Sequence, residues 1–106
     1  MDIQLKRGVL DACALAVLWR GESYGYRLVR DVSEFIQVSE STLYPILKRL
    51  EAGGLVTVRT AEHNGRLRKY YQITNEGERR VRDFLNEYRE LLRVLSRIEA
   101  EVRAHE

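Results

Sequence analysis

The sequence has a single cysteine, Cys13, so no intramolecular disulfide can staple the fold, and this thiol usage fits a reducing, cytoplasmic setting. It has one proline, and its seven glycines are scattered, which leaves no linker, low-complexity tract or internal repeat. Histidine is scarce as well. His63 and His105 stand far from each other and from Cys13, so the spacing offers neither a metal-ligand cluster nor a nucleophile beside its base. The one glycine pair, Gly53-Gly54, ends an apolar periodic segment instead of opening one, unlike a phosphate-binding loop. These absences predict a protein that is not an enzyme, with no catalytic residues, no cofactor and no metal.

Long apolar runs are also missing. The longest, Ala12 to Trp19, falls well short of the ~20 residues that cross a bilayer. Lys6 and Arg7 before it mimic a signal peptide, but Asp11 and the lack of a small-residue cleavage site argue against one. A cytoplasmic chain with no membrane partner is expected.

What is present is a globular balance of 44% hydrophobic and 32% charged residues, at a length that suits one domain. A domain this small gains from burying further surface against a second copy. The net charge of +2 says little, but its placement says more. Between residues 57 and 74, Arg59, Arg66, Arg68 and Lys69 face Glu62 alone, while the flanking segments are nearly balanced. Such a local basic patch is the electrostatic footprint expected of nucleic-acid contact.

From Leu5 to Trp19 the chain is apolar nearly all round, which predicts a central buried helix closed by Gly21. Ser23 is placed to cap a second helix, in which Tyr24, Leu28, Val32 and Phe35 recur at helical spacing. A third helix starts at Ser39 or Ser41, carries Leu43, Ile46, Leu47 and Leu50, and stops at Gly53-Gly54. Its Pro45 is expected near the first turn, where proline costs least. The extended segment Leu55 to Thr60, the Asn64-Gly65 turn and the strand Leu67 to Thr74 then form a hairpin. Thr74 caps a long last helix, with Gly77 as a weak point of about 1 kcal/mol in its first turn. The fold class is therefore mainly α with a small β-hairpin. It reads as a winged helix-turn-helix over residues 1–74 and a C-terminal dimerisation helix over 75–106, forming one structural unit.

Three features carry function. The outer face of the third helix holds Ser41, Thr42, Tyr44, Lys48 and Arg49, groups suited to phosphates and base edges in a major groove. The hairpin tip holds Arg66, Arg68 and Lys69, suited to phosphates or the adjacent minor groove. On the last helix, Val81, Phe84, Tyr88, Leu91, Leu95, Ile98 and Val102 alternate steps of three and four in an unbroken a/d stripe. That helix spans about 40 Å, more than so small a core can cover, so a second copy is the expected partner. A symmetric dimer implies a roughly palindromic operator.

Leu5-Lys6-Arg7-Gly8, Tyr24-Gly25-Tyr26, Thr42-Leu43-Tyr44-Pro45, Gly54-Leu55-Val56 and Arg68-Lys69-Tyr70-Tyr71 before Ile73-Thr74 form an ordered series. In that series the chain resembles the PadR family, over about residues 5–80, with the last helix of the compact subgroup. The resemblance implies a homodimeric transcription factor, usually a repressor, released by a small molecule or stress signal. It implies DNA contact at Thr42, Tyr44 and Lys48, and backbone contact at Arg66, Arg68 and Lys69. It further implies a flat aromatic effector between the dimer helices, lined by Trp19, Val9, Phe84 and Tyr88. Ser41 departs from a common glycine, and Arg59 from a common aromatic. The rival reading is a winged helix used for protein–protein docking, without duplex affinity.

Overall fold

In the computed structural model, which describes residues 1–106, Asp2 opens the first helix, α1 (Ile3–Trp19), by accepting the Leu5 N–H at 2.9 Å. Leu10, Ala14, Leu15, Val17 and Leu18 of α1 are buried and form the middle of the core. Gly21, at φ +147°, turns the chain out of the helix, in a backbone region that side chains disfavour.

Ser23 does not cap the second helix. It pairs with Tyr71, and Tyr24 with Tyr70, as a two-residue strand, β1 (Ser23–Tyr24), so the sheet has three strands rather than two. The Ser23 hydroxyl is buried without a protein partner. Helix α2 (Gly25–Val32) follows at once, with Tyr24 at its N-cap and no side-chain capping bond. It ends before Phe35, which is exposed, and Ile36 packs on the core instead.

Helix α3 (Glu40–Ala52) is capped by Ser39, whose Oγ accepts the Thr42 N–H at 3.3 Å. Leu43, Ile46, Leu47 and Leu50 are all buried, each stabilising the fold by about 2 kcal/mol. Pro45 falls in the second turn, one turn later than expected, and denies the Ser41 carbonyl its intrahelical donor. The helix closes where Gly54 adopts φ +75° and the Leu55 N–H donates back to the Leu50 carbonyl at 2.9 Å.

Strands β2 (Val56–His63) and β3 (Arg66–Ile73) are antiparallel, from Val56 opposite Ile73 to His63 opposite Arg66. Asn64 and Gly65 turn at φ +52° and +79°, the two positive angles of a type I′ hairpin. β3 is the central strand, in the order β1-β3-β2.

Thr74 opens helix α4 (Asn75–Ala104), accepting the Gly77 N–H at 3.0 Å and donating to the Gly54 carbonyl at 2.7 Å. Gly77 is not a weak point. It is buried, and a β-carbon there would land on the Leu55 carbonyl oxygen and lie 2.7 Å from Ile73 Cγ1. Val81 is the one core residue that α4 supplies. The rest of α4 runs outward, which makes the molecule 63 Å long but only 25 Å and 23 Å across. No helix is long and apolar enough to cross a membrane.

Candidate nucleic-acid interface

Burial of the four apolar residues of α3 turns Ser41, Thr42, Tyr44 and Lys48 to the surface. At the start of the helix, Ser39 Oγ lies 3.0 Å from Ser41 Oγ and donates to Thr42 Oγ1 at 3.1 Å. Three hydroxyls thus gather at the positive end of the helix dipole, where an anion is favoured. Ser39 belongs to this group although the spacing marks it only as a cap.

The wing is stiffened by aromatic rings. The Arg68 guanidinium sits 3.9 Å from the centroid of Tyr24, whose ring meets Tyr70 edge-on at 6.0 Å. Arg59 stacks 4.5 Å from Tyr70 and donates to both carboxylate oxygens of Glu22, at 2.7 and 2.6 Å. The hydrogen bonds from Arg59 hold the Glu22 carboxyl below its ordinary range. One cation of the basic segment is therefore neutralised within the fold. Arg66, Arg68 and Lys69 form no ion pair.

A cleft of about 540 Å³ lies between α3 and the base of the wing. Tyr44, Lys48 and Glu51 come from α3, Arg68, Lys69 and Tyr71 from β3, and Tyr24, Gly25 and Tyr26 from the turn into α2. Three cations stand against one carboxylate, among four phenols. Burial, and then the Glu40 carboxylate, push the Tyr44 phenol up; burial, then Glu51 and Tyr44, do the same to Tyr71. Both rings keep their protons at neutral pH and can donate to phosphate or base acceptors. Four of the expected DNA-contact residues, Tyr44, Lys48, Arg68 and Lys69, meet here. The tyrosines of Tyr24-Gly25-Tyr26 join them, which the apolar spacing of α2 alone does not suggest.

The remaining candidates lie elsewhere. Arg66 is at the wing tip, beside the turn. Thr42 lines a second depression with Lys6 and Arg7 of α1 and Arg49 of α3. Arg49 does not extend from the outer face as expected: its guanidinium turns to α1 and donates to both oxygens of Asp11, at 2.8 and 2.9 Å. Those hydrogen bonds raise the Arg49 pKa.

The a/d stripe of α4 divides in two. Val81 is buried and Phe84 and Tyr88 are half-buried, whereas Leu91, Leu95, Ile98 and Val102 are each about half exposed, at 46–53%. Phe84 and Tyr88, with ring centroids 4.8 Å apart, line a cleft of about 360 Å³ against Gly8, Asp11 and Ala12 of α1. Val9 and Trp19 do not line it. Val9 is rotated by about 100° from Gly8 on the helix, and Trp19 lies about 16 Å further along, under Arg82 at 5.2 Å. Burial pushes the Cys13 thiol up, which favours its protonated form at neutral pH. No three His, Cys, Asp or Glu side chains converge as a metal site.

Residues 14–83 match the PadR-like family of transcriptional regulators. The chain belongs to this family. Its PadR-like relatives include the negative transcriptional regulator PadR of Bacillus subtilis, 32% identical over 82 residues. That match covers 73% of this chain and 45% of the relative, so the chain spans just under half of that protein. The crystal structure of Bacillus subtilis PadR in complex with operator DNA superposes with a TM-score of 0.68 at 30% identity, over 73% of this chain and 46% of that one. A PadR family regulator from Eggerthella lenta matches over 91% of this chain and 86% of its own, at 33% identity and a TM-score of 0.78. These PadR-like proteins are transcription regulators and not enzymes, and the winged-helix architecture is shared along nearly the whole chain.

Proposed function

We propose that this PadR-like chain binds a specific duplex as a homodimer and represses transcription from a roughly palindromic operator. The observation that carries this reading is the convergence of Tyr44 and Lys48 from α3 with Arg68 and Lys69 from the wing on one cationic cleft. Residues twenty apart in sequence meet there only through the fold. In the proposed complex α3 enters the major groove, with Ser41, Thr42, Tyr44 and Lys48 toward phosphates and base edges. The wing follows the backbone, with Arg66, Arg68 and Lys69 on phosphates or in the minor groove.

The second copy covers the free half of the α4 stripe, Leu91, Leu95, Ile98 and Val102, as the heptad spacing supports. The repressor assignment draws on the Bacillus subtilis relative, named a negative transcriptional regulator. A flat aromatic effector would stack on Phe84 and Tyr88, whose ring centroids lie 4.8 Å apart in the α1–α4 cleft.

Fluorescence anisotropy with a duplex from the protein's own upstream region tests the reading. Affinity should exceed that for a scrambled duplex and fall steeply between about 50 and 200 mM salt. Equal binding to both duplexes, or none, would remove it in favour of protein docking.

A further inference from the structure

The apolar contacts that hold α3 in the core are non-directional, and leucines alone permit a helix to rotate or slide. One polar contact does not. Asp11 is 7% exposed on a face of α1 otherwise formed by Leu10, Ala14 and Leu15. A carboxylate so placed is destabilising unless it is paired. Arg49 supplies the pair, Nη1 to Oδ2 at 2.8 Å and Nη2 to Oδ1 at 2.9 Å. Two parallel hydrogen bonds between planar groups fix rotation as well as distance.

The same stretch of α1 holds α4. Gly8, one turn before Asp11, receives the Phe84 ring, whose Cε1 would be 2.8 Å from a β-carbon there. Asp11 and Phe84 share the walls of the α1–α4 cleft, and Arg49 shares its surface depression with Thr42. A continuous path of contacts therefore runs from the helix proposed to pair two chains to the helix proposed to read DNA.

We propose that Asp11 and Arg49 are positioning residues for DNA recognition, locking the rotation of α3 on α1 and thereby its aim relative to α4. The inference rests on the DNA-binding reading above. It makes Arg49 a fixed strut and not a phosphate contact.

The test uses the full chain, a labelled duplex from its own upstream region, and a scrambled duplex of equal length. Asp11→Asn and Arg49→Gln should each weaken specific binding at least about fivefold. Neither should change scrambled-duplex affinity or the slope of affinity against salt. The double variant should bind no worse than the weaker single one, and Arg49→Lys should recover part of the loss. A direct phosphate contact gives the opposite pattern: Asp11→Asn is harmless and Arg49→Gln lowers the salt slope by about one. That pattern overturns the proposal. Should a single variant fail to fold by circular dichroism, Asp11→Leu with Arg49→Met keeps the site filled without buried charge. Folded and deficient in specific binding with an unchanged salt slope, it supports the strut; folded with wild-type affinity, or with the slope lowered by about one, it overturns it. A wild-type chain that does not distinguish the two duplexes removes the DNA-binding reading first, and the strut with it.

Discussion

The ring of Tyr44 occupies the space where Gly25 has no side chain. A β-carbon on Gly25 would lie 2.6 Å from Tyr44 Cε1 and 3.0 Å from its hydroxyl. The missing side chain on α2 thus fixes where an aromatic group of α3 faces the cleft.

Gly25→Ala should therefore move Tyr44 while sparing the fold. Alanine at this helix start is favoured by propensity by up to about 1 kcal/mol, so the melting temperature should hold or rise. Duplex affinity should fall by about tenfold, comparably to Tyr44→Ala, since a misplaced contact of this kind is worth about 1–3 kcal/mol. Wild-type affinity in Gly25→Ala would show that the ring's seat does not matter.

Gly77→Ala should do the reverse of what helix propensity predicts. Propensity promises about 1 kcal/mol of gain. The clash with the Leu55 carbonyl and Ile73 forces backbone movement at a crowded junction, costing about 1–3 kcal/mol or more. Urea denaturation gives the sign, and a stabilised variant would contradict the packing described here.

Thr74→Ala should cost about 1–2 kcal/mol, because one hydroxyl both caps α4 and holds the Gly54 carbonyl. Thr74→Ser keeps both bonds and should recover most of the loss in the same denaturation assay. Equal stability of the alanine and serine variants would mean that the hydroxyl contributes nothing.

Leu91→Glu with Leu95→Glu should yield a folded monomer with weak duplex binding. Both side chains are about half exposed, so the winged-helix region over residues 1–74 should melt as before. Light scattering at micromolar concentration reports the mass; a species that remains dimeric would refute the assignment of this stripe.

Elements with a local cause were legible in the sequence. The Asn64-Gly65 turn, the Gly54 helix stop and the Thr74 cap each depend on a few neighbouring residues. Ser23 was not legible. Serine before an apolar periodic segment resembles a cap, yet its backbone is claimed by Tyr71, far along the chain, and a two-residue strand has no period. Arg49 follows Lys48 on the helix and reads as its neighbour on the outer face, because no local pattern announces a partner 38 residues away. Gly77 follows the same logic, since helix propensity is local and the Leu55 carbonyl that crowds it is not. The cleft is half legible: its cations stand out by charge and Tyr44 by its place on the outer face of α3, whereas Tyr24, Tyr26 and Tyr71 read as part of the apolar and extended patterns.

Every residue from Arg89 onward is exposed, although α4 continues helical to Ala104. A lone helical stretch of that length is marginal in water. In the proposed assembly the far turns of the rod gain their order from the second chain, so ordering and association become one event. Below the concentration where chains associate, occupancy of a two-half-site operator then rises with about the square of chain supply. Modest changes in expression would switch the promoter more sharply than any solitary head could.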